Sequence, residues 1–139
     1  MPISGLSGQT LMTFLLDTHT FLWLAAAPEK LSPDVREIVE EGAAELLLSA
    51  ASGWEIALLW KLGRIELAEP PAAFIPAAMQ TMRITPLPIG FTTAITAATL
   101  PLIHRDPFDR LLVAEAMKNG FTILTRDQTI PEYGVKVFW

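Results

Sequence analysis

The chain has 139 residues, 51% of them hydrophobic, which is enough for one domain with a real core. A formal charge of −5 and a pI of about 4.9 argue against a broad nucleic-acid surface, so any such contact has to be local. The absence of cysteine excludes disulfides, thiolate zinc sites and a cysteine nucleophile. The two histidines, His19 and His104, are too few for a histidine-rich metal site.

Met1 to Leu11 is rich in Gly, Ser and Thr and reads as a loose leader, with Met12 as an alternative start. Residues 12–139 then read as a single domain. Apolar runs suggest strands at "TFLL" (13–16), "ELLLS" (45–49), "ITPLPI" (84–89), "FTILT" (121–125) and "VKVFW" (135–139). Helical periodicity falls between them, near 19–26, 33–42, 50–62, 71–82, 91–99 and 107–119. Pro70-Pro71 marks a turn inside the domain. This alternation implies an α/β fold, a mostly parallel sheet of about five strands with helices on both faces. The longest apolar run, Phe21 to Ala27, is far short of the ~20 residues that cross a bilayer, and no signal-peptide pattern opens the chain. A cytoplasmic protein without a membrane partner is the expectation. The mean hydropathy of +0.39 suggests that some apolar surface is covered by a partner.

In such a sheet, ligands gather at the carboxyl ends of the strands. Asp17 directly follows "TFLL", and Asp127 comes two residues after "FTILT". A cap or turn role explains either acid equally well. On the helix "ASGWEIALLWKLGR" (51–64), Ala51, Leu58, Leu59 and Leu62 share a stripe, and Glu55 lies in its middle. Ser52 and Glu55 have the spacing of a capping box, but Ser49 is an equally good cap and would put Glu55 deeper in the helix. In "HRDPFDRLLVAEA" (104–116), Asp106 precedes Pro107 and is the natural N-cap, whereas Asp109 shares a stripe with Leu112, Val113 and Ala116. Four acids converging on one sheet end would repel, by about 4 kcal/mol per pair ~4 Å apart at an effective dielectric near 20. A cation or a shared proton must then neutralise them. Oxygen-only ligands suit Mg²⁺ or Mn²⁺, and such a site suits phosphodiester hydrolysis.

The blocks "LLDTHTFLWL" (15–24), "SAASGWEIALLWKLGRIEL" (49–67), "LPIGF" (87–91), "LPLIHRDPFDRLLVAEA" (100–116) and "ILTRDQTIPEY" (123–133) together resemble PIN-domain proteins. They are most similar to the VapC-type toxins of bacterial toxin–antitoxin pairs, in order and in register from Met12 to Trp139. The resemblance implies a small three-layer α/β/α domain and a metal-dependent ribonuclease that inhibits translation and growth. It also implies an antitoxin that plugs the acidic pocket, and a homodimer. By the same resemblance, Asp17 and Asp109 are the main ligands of Mg²⁺ or Mn²⁺. Glu55 would bind metal or orient the attacking water, and Asp127 would complete a second metal position or its outer shell.

Weaker candidates surround these acids. Thr18 and Thr125 flank two of them and suit donation to a carboxylate or phosphate. Arg110 points about 100° away from Asp109, toward solvent or an RNA phosphate. The histidines suit packing or hydrogen bonding, and the tryptophans suit core or interface roles. Leu67 to Phe74 has the spacing of a rim over the site. Two other readings stay open. One is a catalytically silent binding module; the other is an aspartyl-nucleophile phosphatase, which counts against itself because His19 stands where that chemistry wants a second aspartate.

Overall fold

The computed structural model describes residues 12–139; the leader expected over Met1–Leu11 lies outside them. Five strands form one sheet: β1 (Thr13–Leu16), β2 (Glu45–Ser49), β3 (Ile84–Leu87), β4 (Thr122–Leu124) and β5 (Val137–Phe138). Their order is β3-β2-β1-β4-β5, and every pairing is parallel. Six helices join them: α1 (Thr18–Ala26), α2 (Pro33–Glu41), α3 (Ala50–Lys61), α4 (Pro71–Met82), α5 (Phe91–Thr99) and α6 (Pro107–Asn119). Two short 3₁₀ turns, Pro28–Lys30 and Ile130–Tyr133, were not evident in the sequence pattern.

The central strands β1, β2 and β4 carry apolar runs, Phe14–Leu16, Leu46–Leu48 and Ile123–Leu124, because both faces of the sheet are covered there. Phe14, Leu16, Leu46, Leu48 and Leu124 turn to one face, where they meet Phe21, Val35, Ile56 and Met79 from α1 to α4. Leu15, Leu47 and Ile123 turn to the other, where they meet Leu112, Val113 and Ala116 of α6. α5 packs in turn against α6, completing three layers. β3 stops at Leu87, short of the expected Ile89, and its position at the sheet edge tolerates Pro86, which cannot donate to a ladder. Left-handed Gly42 and Gly120 end α2 and α6, as the absence of a Cβ permits.

Leu67 and Phe74 pack against the first of these clusters while Ala68 to Pro70 stay exposed, and none of residues 67–74 lines the acidic pocket, so the segment is not the rim its spacing suggested. Trp23 and Trp139 also join that cluster, while Trp54 is 62% exposed and stands edge-on to Phe108. Among the described residues, no helix is long and apolar enough to cross a membrane.

The chain adds β2 and β3 on one side of β1, then returns to add β4 and β5 on the other. The strand order therefore reverses at β1/β4. The crevice beyond the carboxyl ends of those two strands is where an open α/β sheet binds ligands.

Candidate active site

Asp17 opens α1 at this crevice. Its Oδ1 accepts the Thr20 amide at 2.8 Å, so it is the N-cap of that helix, and its Oδ2 accepts the Thr125 hydroxyl at 2.5 Å. Thr125, just past β4, also accepts the Asp127 amide at 3.0 Å. The hydroxyl thus ties the ends of β1 and β4 together through the two acids. Asp127 in turn accepts the Thr129 amide at 2.8 Å, a turn aspartate as well as a pocket acid.

Ser49 caps α3, accepting the Ala51 amide, so the Ser52–Glu55 capping box does not form and Glu55 is free in the second turn. Its Oε1 accepts the Thr18 hydroxyl at 2.6 Å. The helix is rotated from the expected phase: Ala51, Ser52 and Ile56 are buried, while Leu58 and Leu62 of the expected inner stripe are exposed. Glu55 sits half-buried at the edge of the packed face. Burial pushes its carboxyl above the usual range, against the opposing pull of the Thr18 hydrogen bond.

Asp106 caps α6 with Pro107 at the first helical position, accepting the Phe108 and Asp109 amides at 2.8 and 3.4 Å. One turn on, Asp109 faces the pocket beside buried Leu112 and Val113, as its phase predicted. Burial, followed by the charges of Asp106, Glu55, Asp17 and Asp127, pushes the Asp109 carboxyl up to about 8. Asp106 therefore does two things. It caps the helix, and it stands close enough to Glu55 and Asp109 for one oxygen of each to lie within 4.8 Å of the others.

His104 joins the acids in the pocket, in the hydrogen-bonding role expected of it. Its Nε2 lies 2.9 Å from Asp127 Oδ2 and 3.2 Å from Asp109 Oδ2, and its Nδ1 accepts the Asp106 amide at 3.1 Å. A ring nitrogen that accepts cannot carry the proton, which assigns it to Nε2. His104 is therefore a donor here rather than a nitrogen ligand. Burial alone would raise Asp127, but the Thr129 amide and the His104 hydrogen bond outweigh it and hold its carboxyl below the usual range.

Arg110 corrects another expectation. It is buried rather than solvated or facing RNA, because α5 and the loop before α6 close over that side of the helix. Its guanidinium donates to the carbonyls of Pro101, Leu100, Ala98 and His104 at 2.8–3.3 Å. The Tyr133 hydroxyl joins it, donating to Pro101 and accepting the His104 amide, so the two side chains clasp the loop that presents His104.

Asp17, Glu55, Asp106, Asp109 and Asp127 all line one pocket of about 540 Å³, with Thr18, His104, Trp23 and Arg126 on its walls. A slightly larger cavity of about 580 Å³ lies at the other end of the strands, and its walls are mainly apolar, with Phe14, Ile38, Val137 and Phe138, whereas the acids gather in the first.

Residues 14–136 match the PIN domain family. The chain belongs to that family. It is 35% identical over 122 residues to Ribonuclease VapC22 of Mycobacterium tuberculosis, covering 85% of this chain and 89% of that protein. It is 39% identical over 56 residues to Ribonuclease VapC16 of the same organism, 40% of each chain. Among solved structures, the DNA-bound VapBC of Salmonella typhimurium matches with a TM-score of 0.65 at 18% identity, covering 92% of this chain and 98% of that one. DNA-bound VapBC2 of Rickettsia felis gives 0.67 at 12%, over 91% and 98%. At these identities the structural likeness speaks to the fold alone, and the three-layer α/β/α arrangement with its parallel sheet is the PIN fold.

Proposed function

We propose that this PIN-domain protein is a divalent-metal-dependent endoribonuclease, the toxin of a toxin–antitoxin pair. The observation that carries the reading is the convergence of five carboxylates on one pocket, from the starts of α1 and α6, from α3 and from the loop after β4, with Asp109 pushed to about 8. A fold that keeps Asp109 ionised at neutral pH needs a neutralising cation beside it. The donors fit a hard one: they are oxygens, and the proton on His104 Nε2 removes the pocket's best-placed nitrogen from the ligand set. Asp17, Asp109 and Glu55 would hold Mg²⁺ or Mn²⁺, with Asp127 completing a second position or its outer shell. When bound, such a cation screens the phosphate charge and makes a water molecule more acidic.

The protein's own groups supply the rest. Thr18 holds Glu55 Oε1 in place, which leaves Oε2 to orient the attacking water and accept its proton. Water oxygen bonds to phosphorus, the bond to the leaving ribose oxygen breaks, that oxygen takes a proton from solvent, and two RNA ends result. Thr125 fixes Asp17, so its oxygens need no reorganisation during the reaction.

RNA as the substrate is supported by the relatives named as ribonucleases. A cognate antitoxin is supported by structural neighbours that are VapBC complexes. A homodimer is supported by apolar side chains left exposed on α3 (Trp54, Leu58), at its C-cap (Leu62) and on α5 (Phe91, Ile95). Acting on RNA, the protein works in the cytoplasm.

The test is direct. Protein freed of any bound partner cuts structured RNA in Mg²⁺ or Mn²⁺ and stops in EDTA. Cleavage that survives complete chelation would sink the metal mechanism, and a wild type that never cuts RNA would sink the ribonuclease reading.

A further inference from the structure

Arg126 is the sole lysine or arginine on the wall of the acidic pocket among the described residues. It is exposed, between Thr125 and Asp127. Its guanidinium carbon stands 4.9 Å from the centre of the Trp23 ring. Trp23 is itself braced edge-on by Trp139 at 5.8 Å and packed against the core, so the platform under the arginine is fixed. Five carboxylates share the pocket, yet among the described residues Arg126 forms an ion pair with none of them.

That combination has a physical reading. A guanidinium over an indole gains cation–π attraction and gives up little side-chain entropy when it later binds. Among the described residues none of its N–H groups is hydrogen-bonded, so the edge that matches a phosphate in a bidentate pair is unspent. The need for such a group is set by charge. A polyanion approaching a chain of charge −5 is repelled, and a cation among the acids compensates only at the bond being cut. A neighbouring phosphate requires its own partner.

We propose that Arg126, held over the Trp23 ring, is a substrate-binding residue that clamps an RNA phosphate adjacent to the one being cleaved. The assignment rests on the ribonuclease reading and takes the place that Arg110 cannot fill, since Arg110 is buried against carbonyl groups.

The experiment measures steady-state cleavage of a fluorophore–quencher RNA hairpin by wild type, Arg126→Ala and Arg126→Lys, from 50 to 200 mM salt. Calorimetric Mn²⁺ binding is measured on each protein. Arg126→Ala is expected to raise KM roughly 10-fold with kcat little changed, the signature of lost uniform binding. The slope of log(kcat/KM) against log salt should become shallower by roughly 0.7–0.9, one phosphate contact. Arg126→Lys keeps the charge and loses the planar edge, so its salt slope stays near wild type while KM rises by a smaller factor. Mn²⁺ affinity stays at the wild-type value in both, which also shows that the pocket is folded.

An Arg126→Ala enzyme with wild-type KM and salt slope overturns the assignment and leaves the ribonuclease reading standing. So does a variant whose loss tracks weakened Mn²⁺ binding, or one that weakens only the binding of a protein partner. A wild type inert toward RNA in Mg²⁺ and Mn²⁺ overturns both.

Discussion

Asp17 receives two hydrogen bonds from the protein, from the Thr20 amide and the Thr125 hydroxyl, whereas among the described residues no group donates to the Asp109 carboxylate. His104 Nε2 stands 3.2 Å from Asp109, but its proton is directed to Asp127 at 2.9 Å. Both acids sit at helix N-termini in the same pocket, and the protein treats them oppositely. Asp17 is held ready whether or not a cation is present. Asp109 is left as an unmet electrostatic demand, and meeting that demand is the work a cation would do.

The sharpest break in this comparison is Asp109→Asn. Cleavage should fall on the order of 10³-fold or more, as for other lost electrostatic elements of a reacting centre. The metal-free variant should at the same time be more stable than wild type at pH 8. Activity and thermal melting measured on the same preparations check both halves. A variant that loses activity and stability together would mean Asp109 serves the fold.

The pH dependence follows from the same acid. Its folded value of about 8 lies above its ordinary 3.8, so the folded state binds the extra proton. The penalty is absent below about 4, grows as pH rises, and is complete above about 8. Metal-free wild type should therefore lose on the order of a few kcal/mol across that window relative to Asp109→Asn. Mg²⁺ or Mn²⁺ should restore most of it at the alkaline end. Asp127, held low, works the other way: its contribution is present above the ordinary range and lost in acid, so subtracting the Asp109→Asn curve is needed to isolate Asp109. Parallel curves for the two proteins in EDTA would remove the contrast with Asp17.

Thr125→Val tests the other side. It keeps the shape of the side chain but frees Asp17 Oδ2 and unties Asp127 from the end of β4. A loss of about 10–100-fold in metal affinity or activity is expected, the range for a partner that orients a ligand. Calorimetry with Mn²⁺ reads it. An unchanged affinity would show that Asp17 does not depend on its donors, and the proposed preorganisation would fail.

Much of the fold is legible in the sequence, and the exceptions have physical causes. Caps and strand runs are local, so the starts of α4, α5 and α6 and the phase of Asp109 follow from a few neighbouring residues. The face of α3 does not: Trp54, Ile56, Leu58, Leu59, Trp60 and Leu62 surround that helix with apolar side chains, and periodicity cannot choose among them. The packing of α3 against α1 and α6 makes the choice, burying Ser52 and Ile56 and exposing Leu58 and Leu62. Arg110, expected in solvent or on RNA, is buried for a related reason, and His104 takes its hydrogen-bonding place through contacts that are just as non-local. Their partners come from α5, from the loop at Pro101 and from Tyr133, and nothing adjacent to them in the chain announces the clasp. The roles of Asp17, Glu55 and Asp127 rested on the family pattern more than on local chemistry, since a cap or turn explains each of those positions alone.

The smallest effect should come from Asp106, which resembles Asp17 in capping a helix and Asp109 in facing the acids. Asparagine caps about as well as aspartate, so Asp106→Asn should leave α6 intact, while Asp106→Ala should cost about 1 kcal/mol. Removing the charge also removes the second-largest cause of the raised Asp109. The loss of stability with rising pH should then be shallower in Asp106→Asn than in wild type, and cleavage should drop by less than about 10-fold, the lower end for outer-sphere groups. Measured beside Asp109→Asn, this separates capping from ligation within one turn of helix. Equal loss of cleavage in the two would place Asp106 among the ligands, and the division of labour between the two aspartates would have to be redrawn.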